Sequence, residues 1–402
     1  MTVDDIVMSL MATPEGRRNP YPHYDQLRAL APVARSGIGG LWFLTGFDDC
    51  HNVLRDQRFG KGDPDAPLTL LPGAAPRRRL RFAGKTMLLV DPPDHTRLRG
   101  LVSREFTPRR VERLREGVER MCDEILDDIA DAGEVDLMDT LAFPLPVRVI
   151  GELLGVPEED RDAFRPLVLA AAKSIEPDMT EEEFAAADAA GQQQADYFTR
   201  LIADRTADPE DDLLSALIAV RDGTDRLDEE ELIATAILLF AAGFETTTNL
   251  VGNGIVTLLQ HPDQLDLLRR DPSLLASAVD EILRVESPVQ LDLRIAFDDV
   301  DLADQRIQAG DAVVTMLGAA NRDPAKIPEP DRFDITRGDV PLMSFATGIH
   351  YCLGANLARM EGRVVLQRLL DRFNTIELVD EEPAWRDRLT LRGLDHLNVR
   401  CA

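Results

Sequence analysis

Hydrophobic residues recur every three to four positions along most of the chain, which is the spacing of amphipathic α-helices. Thr107-Pro108 and Asp271-Pro272 each place a capping residue before a proline, a common start for a helix. Gly223 follows a helical stretch and suits its end. The pattern predicts helices over residues 107–130, 181–208, 211–220, 271–286 and 355–370. Strand-like sequence is limited to residues 41–45 and 300–317. The sequence therefore predicts a mainly α fold with a small β portion.

The longest apolar stretch runs from about Leu232 to Gln260, and Glu245 is its single formal charge. A membrane-spanning helix needs about 20 consecutive apolar residues. Glu245 and the polar residues that follow it interrupt this stretch before that length is reached. At 1.5 Å per residue the helix would extend roughly 40 Å, enough to cross a protein of this size. We therefore expect a helix buried in the centre of the molecule rather than a membrane span.

Charge and cysteine content limit the functions that the chain can have. Its 402 residues include 45 basic and 72 acidic side chains, for a formal net charge of −27. This balance argues against binding to nucleic acid or to an anionic membrane surface. The four cysteines are scattered, and the first residues lack the basic head of a signal peptide. We therefore expect a reducing, cytoplasmic setting, in which a special cysteine serves as a ligand or nucleophile rather than in a disulfide.

The most specific sequence feature is the stretch FATGIHYCLGANLAR, in which Phe345, Gly348, His350, Cys352 and Gly354 form an FxxGxHxCxG pattern. A helix is predicted to begin just after the cysteine, so free N–H groups and the helix dipole point at its sulfur. This environment favours the thiolate, which an iron ligand must be. The glycines let the backbone approach a flat ligand closely. A lone cysteine in a turn can instead be buried and inert, but the complete pattern resembles the haem-binding loop of the cytochrome P450 family.

A second feature of that family is matched in the central helix. Ala242, Gly243, Glu245 and Thr246 of the segment AAGFETTT resemble the family's oxygen-activation sequence. Independently of the resemblance, Gly243 and the hydroxyl side chains after it predict a local bulge that opens a groove in the helix. A carboxylate and an alcohol there can relay protons, which heterolytic O–O cleavage requires. The alternative is a kinked core helix whose threonines bond back to the backbone.

Glu281 and Arg284 form an ExxR pair one helical turn apart. At a surface such an ion pair contributes only a few tenths of a kcal/mol. In the P450 family this pair joins an arginine from a later Pro-Asp-Arg-Phe segment in a buried network under the haem loop, and Arg332 stands at the matching place. The resemblance therefore implies a structural role, not a catalytic one, for these three residues.

Four residues match the positions that hold the haem propionates in the family, namely His95, Arg99, Arg294 and His350. His95 and Arg99 are four residues apart and share one helical face. Propionates need cationic or donor partners, which all four residues can provide. Each of them could equally make an ordinary surface hydrogen bond.

The resemblance covers nearly the whole chain and is to the soluble bacterial type of the family. It implies the P450 fold as a single domain over residues 1–402, without a fused reductase. Haem b would lie between the central helix and the helix after the cysteine loop, with the Cys352 thiolate as its axial ligand. One departure is Ala346, where glycine is common in the family; it alters loop packing without touching the ligand.

The reaction that the resemblance implies is a monooxygenation. One atom of O2 enters a lipophilic small molecule, such as a secondary metabolite, steroid, terpenoid or fatty acid, by hydroxylation or epoxidation, while Glu245 and Thr246 deliver protons. Electrons would come from a ferredoxin and an NAD(P)H-dependent ferredoxin reductase. The basic residues Arg104, Arg109, Arg110 and Arg113 could dock an acidic ferredoxin, or they could be a solvated helix face.

By resemblance, the substrate pocket draws on the segments 61–87, 167–175 and 289–293, the last with Val289 and Leu291, and on the residues Leu239, Ala242 and Leu394. Most of these side chains are small or apolar, which favours a lipophilic substrate. The arginines at 77, 78, 79 and 81 could attract an anionic substrate or simply be solvated, and Asp292 or Asp395 could contact a basic group.

Two kinds of alternative stay open. The same scaffold could run a peroxygenase, desaturation or oxidative-coupling reaction, although a Glu245–Thr246 pair argues against peroxygenase use. The chain could also be a haem-binding carrier or sensor without turnover, although no signalling module accompanies the loop.

Overall fold

The computed structural model describes residues 1–63, 80, 83–130, 132–220 and 225–402. Helices dominate these residues, as the sequence predicts. In chain order the helices are α1 (Val3–Ala12), α2 (Pro14–Arg18), α3 (Tyr21–Leu30), α4 (Phe47–Arg55), α5 (Asp94–Ser103), α6 (Pro108–Arg113), α7 (Arg115–Ile129), α8 (Pro144–Leu154), α9 (Glu158–Ala172), α10 (Glu181–Ala207), α11 (Leu213–Ala219), α12 (Glu229–Gln260), α13 (Pro262–Arg270), α14 (Leu275–Val285), α15 (Leu317–Ala320) and α16 (Ala355–Arg372). Shorter 3-10 turns occur at Ala83–Lys85, Lys173–Ile175, Pro272–Leu274 and Gly348–His350, and a π-helical turn at Met138–Ala142.

The strands are short. In chain order they are β1 (Val33–Arg35), β2 (Trp42–Leu44), β3 (Phe59–Gly60), β4 (Glu134–Asp136), β5 (Asp292–Ala296), β6 (Val300–Leu302), β7 (Gln305–Ile307), β8 (Ala312–Thr315), β9 (Ile376–Leu378), β10 (Ala384–Trp385), β11 (Leu394–His396) and β12 (Asn398–Cys401). Their largest sheet has the order β1-β2-β8-β5-β3, and its β2–β8 pair is parallel. The other sheets are β4-β12-β9, β6-β7 and β10-β11.

The element boundaries confirm most of the sequence prediction. Helices α10, α11, α14 and α16 lie where the hydrophobic pattern places them, and β2 and β6–β8 occupy the predicted strand segments. The helix predicted over residues 107–130 is divided at Leu114 into α6 and α7. Gly223 lies outside the described residues, as do the arginines at 77, 78, 79 and 81 and most of the predicted pocket segment 61–87.

The chain forms two compact units. One comprises Met1–Phe59, Glu112–Leu145 and Thr246–Ala402. Its core joins the large sheet to α4 and to the segment before the cysteine loop through buried apolar side chains, among them Trp42, Phe47, Val313 and Met343. The parallel pairing of Trp42 with Val313 gives the register between β2 and β8. The sheet and α4 therefore form the support on which the cysteine loop is built.

The other compact unit comprises Gly60–Val111 and Pro146–Glu245. Phe164, Phe198 and Phe240 form an aromatic core within it, and the ring centroids of Phe164 and Phe240 are 4.4 Å apart. Arg205 pairs with Asp212 at 2.6 Å and fastens α10 to the start of α11. The boundary between the units crosses α12 between Glu245 and Thr246. The single domain expected over residues 1–402 stays a prediction.

Helix α12 is long and apolar enough to cross a membrane, but 67 % of its most apolar stretch is buried in the protein. Three glutamates, Glu229, Glu230 and Glu231, occupy its first turn, where the helix dipole favours negative charge. Its burial is that of a core helix.

Candidate active site

The cysteine loop lies between the buried segment 343–345 and helix α16. One 3-10 turn, Gly348–His350, precedes Tyr351 and Cys352. The backbone N–H of Cys352 donates to the carbonyl oxygen of Phe345 at 3.0 Å, which closes the loop. The Cys352 side chain is exposed, and α16 begins three residues later. The loop therefore presents a sulfur atom close to the free N–H groups of a helix N-terminus.

Gly348 is required by the close contact of this loop with α4. Its φ is +75°, in the left-handed region, and a Cβ atom there would lie 2.2 Å from the carbonyl oxygen of Leu54. Any other residue would have to move the loop away from α4. Gly354 differs, because a Cβ atom there would meet no atom of the described residues within 4 Å. Space is thus left beside the backbone at Gly354.

Ala346 also has a left-handed backbone, with a φ of +54°. For an alanine this conformation costs roughly 1–2 kcal/mol relative to a right-handed one. The departure from glycine at this position therefore affects backbone strain rather than side-chain packing alone.

The Phe345 ring is nearly buried, and the guanidinium of Arg359 lies over it, 4.5 Å from the ring centroid. Arg359 also pairs with Asp280 at 2.6 Å. These contacts tie the loop to α16 and α14. His350 is half-buried at the end of the 3-10 turn.

The middle of α12 combines buried and accessible positions. Glu245 is 2 % exposed, whereas Thr246 is half-buried and Ala242 is exposed. Ala242 and Thr246 are four residues apart and so lie on one face of the helix. This face is open in an otherwise buried segment.

The local bulge expected around Gly243 is absent, because the described residues of α12 are α-helical without interruption. A Cβ atom at Gly243 would lie 3.1 Å from Cδ1 of Ile150 on α8. Close packing against Ile150 therefore accounts for the glycine, and the expectation of a bulge is wrong.

The ExxR pair is buried rather than at the surface. Glu281 and Arg284 are 3 % and 1 % exposed, and the guanidinium donates two parallel hydrogen bonds to the carboxylate, at 2.7 and 2.8 Å. Arg284 also donates to the carbonyl oxygens of Pro330 and Arg332, at 2.6 and 3.1 Å. Both charges are thus compensated inside the protein.

The expectation that the Arg332 side chain joins this network is wrong. That side chain is 58 % exposed and lies 3.5 Å from Glu329 and Asp334. Arg337 takes its place, with its Nε atom 3.2 Å from Glu281 and only 14 % of its side chain exposed. Arg332 contributes its backbone carbonyl alone, because its side chain is exposed while that carbonyl accepts from Arg284 and Arg337, both at 3.1 Å.

Asn321, to which no sequence motif assigns a role, connects the network to the cysteine loop. Its carbonyl oxygen accepts from Arg284 at 3.1 Å. Its side chain accepts from the Met343 N–H and donates to Ser344 Oγ, both at 2.7 Å. Ser344 in turn donates to the Leu283 carbonyl at 2.6 Å. The beginning of the loop is therefore fixed to α14 through one buried asparagine.

The four basic residues expected near a propionate are divided between the two units. His95 is 2 % exposed and Arg99 half-buried, one turn apart on α5. Arg294 is 1 % exposed on β5, and its Nη1 atom donates to Asp292 and to the Leu293 carbonyl. Its Nη2 atom is buried and has no hydrogen-bond partner among the described residues.

The segment with Val289, which was expected to line a pocket, is joined to the segment just before β11. Val289 forms a β-bridge with Leu391, and the N–H groups of Gln290 and Arg392 donate to the carbonyls of Thr390 and Pro288, both at 2.9 Å. Val289 and Leu291 are partly accessible. Of the other expected pocket residues, Ala242 is exposed, whereas Leu239 and Leu394 are buried.

These features fit a haem held through a thiolate. Cys352 offers an exposed sulfur at a helix N-terminus, and the backbone at Gly354 leaves room for a flat group. The buried Nη2 of Arg294 needs an acceptor, which a propionate carboxylate supplies.

Comparison with known proteins gives the same answer. The family model described as Cytochrome P450 matches residues 174–392. The 6-deoxyerythronolide B hydroxylase of Saccharopolyspora erythraea is 41 % identical over 399 residues, which cover 94 % of this chain and 95 % of that protein. The vitamin D(3) 25-hydroxylase of Pseudonocardia autotrophica is 43 % identical over 397 residues, which cover 95 % and 94 % of the two chains.

Solved structures agree. P450BioI, in complex with an acyl carrier protein ligated to hexadec-9Z-enoic acid, matches with a TM-score of 0.90 at 36 % identity, over 97 % of this chain and 99 % of that one. The mainly α P450 fold and the haem cofactor with its cysteine thiolate, both implied by the sequence resemblance, are thereby confirmed. The chain belongs to the cytochrome P450 family and is a haem-thiolate monooxygenase.

Proposed function

We propose that Cys352 is the axial ligand of haem b and that the protein hydroxylates or epoxidises a lipophilic small molecule with O2. The observation that carries this proposal is the exposed Cys352 sulfur ahead of α16, in a loop closed by the Phe345 carbonyl. Within that loop, Gly348 sets the backbone path and Gly354 leaves room for the porphyrin. When bound, the haem supplies the activation of dioxygen.

The carbon monoxide difference spectrum of the reduced protein tests the ligand. The wild type should show the long-wavelength Soret band of thiolate coordination, and Cys352→Ser should lose it. Cys401→Ser removes a thiol at the end of β12 and is the matched control, expected to keep the band. The same band in the Cys352 variant would contradict the assignment.

We propose that Glu245 and Thr246 move protons to the site of oxygen activation. The support is the half-buried Thr246 hydroxyl on the open face of α12, next in sequence to a buried carboxyl group. Thr246→Ala should leave the carbon monoxide spectrum intact but divert most reducing equivalents into hydrogen peroxide. Thr235→Val, on a buried part of the same helix, is the control and should keep coupling unchanged.

We propose that His95, Arg99, Arg294 and His350 hold the haem propionates. Arg294 gives the firmest support because its buried Nη2 still requires an acceptor. Glu281, Arg284 and Arg337 act differently: through Asn321 they hold the beginning of the cysteine loop, so their role is structural. The Arg332 backbone carbonyl completes that network.

The substrate is proposed to be a secondary metabolite, steroid, terpenoid or fatty acid. Relatives include hydroxylases named for 6-deoxyerythronolide B and vitamin D(3). Ala242, Val289 and Leu291 are accessible apolar residues, whereas Leu239 and Leu394 are buried. Asp292 is bonded to Arg294 and Asp395 to Arg386, so neither carboxylate is free for a basic substrate group.

A spin-shift screen identifies the substrate class. Macrolactones, sterols, terpenoids and fatty acids are added to the ferric protein, and a low-to-high-spin change reports displacement of water from the iron. Because P450BioI was solved with a carrier-linked acyl chain, the screen includes fatty acids both free and linked to an acyl carrier protein. A shift only with charged, hydrophilic compounds would contradict the proposal.

The electron donor is proposed to be a ferredoxin that is reduced by an NAD(P)H-dependent reductase. Arg104, Arg109, Arg110 and Arg113 are all exposed. Arg110 pairs with Glu105, which leaves Arg109 and Arg113 on α6 as better contacts for an acidic protein. Charge reversal of Arg109 and Arg113 should slow the first electron transfer at low salt. Arg306→Glu, in the β6–β7 hairpin, is the control, and equal rates in all three proteins would refute docking at α6.

The chain is further proposed to act as one cytoplasmic domain without a fused reductase. NADPH turnover with a surrogate ferredoxin should therefore require added reductase. Product formed from hydrogen peroxide alone would instead favour a peroxygenase, and desaturated or coupled products would identify those reactions. Failure to turn over any substrate, despite a normal carbon monoxide spectrum, would favour a carrier or sensor.

A further inference from the structure

Two asparagines follow Thr246 on helix α12. Asn249 and Asn253 are both completely buried, and their four-residue spacing places their side chains on one face of the helix. That face contacts the segment before β11, because Asn253 Nδ2 donates to the carbonyl oxygen of Arg392 at 3.1 Å.

The orientation of Asn253 is fixed by two backbone groups. Its Nδ2 atom also donates to the carbonyl oxygen of Glu286, at 3.2 Å. Both Nδ2 hydrogens are therefore used. The Oδ1 atom is buried and has no hydrogen-bond partner among the described residues.

Asn249 lies against Gly393. A Cβ atom at Gly393 would come within 2.0 Å of Asn249 Oδ1, so the glycine makes room for the amide group. Within the part of the chain that the structure describes, neither Oδ1 nor Nδ2 of Asn249 has a hydrogen-bond partner. A buried amide left in this state keeps the desolvation penalty of each unsatisfied group without the compensating hydrogen bond. Native proteins satisfy such groups with ordered water.

We propose that Asn249 and Asn253 bind one ordered internal water molecule between them. Side chains four residues apart on a helix have Cβ atoms about 5–6 Å apart, a span that one water bridges with two hydrogen bonds. Asn249 Nδ2 donates to the water, and the water donates to Asn253 Oδ1. This arrangement satisfies one atom of each amide.

The water continues the row of polar groups on α12, which starts with Glu245 and Thr246, by one helical turn. Asn249 lies three residues after Thr246, on the adjacent turn. This part of the inference rests on the proposed proton relay of Thr246. Asn249 is then a positioning residue. It holds the water that supplies protons to the Thr246 relay.

The first test is a high-resolution crystal structure of the ferric holoprotein. It should show a water within about 2.6–3.2 Å of both Asn249 Nδ2 and Asn253 Oδ1. Asn249→Leu keeps the branched arrangement of four side-chain heavy atoms but removes the amide, and it should lose the water. A wild-type structure without the water would overturn the proposal.

The second test measures coupling and the solvent isotope effect. In Asn249→Leu the carbon monoxide spectrum and the substrate-induced spin shift should be unchanged. The fraction of NADPH recovered as product should fall about tenfold, less than for direct loss of an acid–base group, and the isotope effect on turnover should rise. Asn249→Ser replaces the amide with a smaller hydroxyl group and leaves room for a second water, so it should recover part of the coupling.

Thr257→Val is the matched control, because the Thr257 hydroxyl bonds only to its own helix, at the Asn253 carbonyl, among the described residues. It should change neither coupling nor isotope effect. If Thr246→Ala is uncoupled while Asn249→Leu is fully coupled, the positioning role is overturned and the Thr246 relay stands. If Thr246→Ala itself is fully coupled, the relay fails, and the crystallographic water alone decides the binding site.

Discussion

The guanidinium of Arg337 lies 3.2 Å from the carboxylate of Glu281, which is already bonded twice to Arg284. Arg337 also donates to the carbonyls of Pro328 and Glu329, at 2.8 and 2.7 Å. The Arg337 side chain therefore fastens residues 328–337 to α14. Its position shows that burial of a charge network, and not the order of residues in a motif, decides which arginine takes part.

Arg337→Ala should destabilise the holoprotein by about 2–4 kcal/mol, because it removes charge-assisted hydrogen bonds next to a buried carboxylate. Arg332→Ala should cost about 0–1 kcal/mol, because its side chain is exposed. Urea unfolding of both ferric variants, followed by the Soret band, measures the difference. Equal losses would mean that Arg332 shares the buried role.

Ala346→Gly should stabilise the protein by about 0.5–1 kcal/mol. The substitution relieves a left-handed alanine, partly offset by the greater freedom of glycine in the unfolded chain. Ala358→Gly, within α16, is the matched control and should destabilise by about 1 kcal/mol. Thermal unfolding of the three proteins provides the comparison, and a destabilised Ala346 variant would show that the side chain contributes packing that outweighs the strain.

Arg294→Gln should weaken haem retention by about tenfold or more, because a charge-assisted hydrogen bond to a buried carboxylate is worth about 1.5–3 kcal/mol. The rate of haem transfer to an acceptor apoprotein measures this effect. Arg306→Gln, whose side chain is 56 % exposed, should release haem at the wild-type rate. A wild-type rate for the Arg294 variant would remove it from the propionate site.

His396 and Asp136 should give stability a dependence on pH. The hydrogen bond from His396 Nδ1 to Asp136, at 2.7 Å, raises the pKa of His396 above 6.5. The contribution of the pair is therefore fully present below pH 6.5 and is lost as the pH rises through the raised value. Because 62 % of the His396 side chain is exposed, the ion pair contributes only about 0.5 kcal/mol to stability.

Protonation of Asp136 determines the pH below which the same pair no longer stabilises the protein. Burial alone would raise the pKa of this carboxyl, but hydrogen bonds from the Leu397 and Met138 N–H groups and from His396 outweigh it and leave the pKa below 3.8. That contribution is lost only as the pH falls through the lowered value. His396→Gln should therefore be less stable than wild type at pH 6 and equal to it at high pH, in urea titrations at each pH. A constant difference across that range would contradict the ion pair.

The sequence predicted the long helices well because their hydrophobic spacing and caps are local signals. Helix α10 begins at a Thr180–Glu183 capping box and ends within one residue of its predicted limit. The break at Leu114 was not predicted, because the apolar pattern continues through it and Leu114 itself keeps a right-handed helical backbone.

Short sequence patterns identify the candidate site residues, but they do not predict the contacts between them. Cys352 and the ExxR pair follow from short patterns, whereas the choice between Arg332 and Arg337 depends on how a loop turns in space. Gly243 is instructive in the same way. A glycine in a helix predicts either a bulge or a close neighbour, and the uninterrupted helix and the position of Ile150 distinguish the two.

The backbone pairing of residues 288–290 with 390–392 limits how the specificity of this enzyme can be altered. An inserted or deleted residue in either segment would slip their pairing and turn neighbouring side chains to the opposite face. Because Val289 and Leu291 are proposed to line the substrate pocket, engineering for a new substrate should exchange their side chains while conserving the length of both segments.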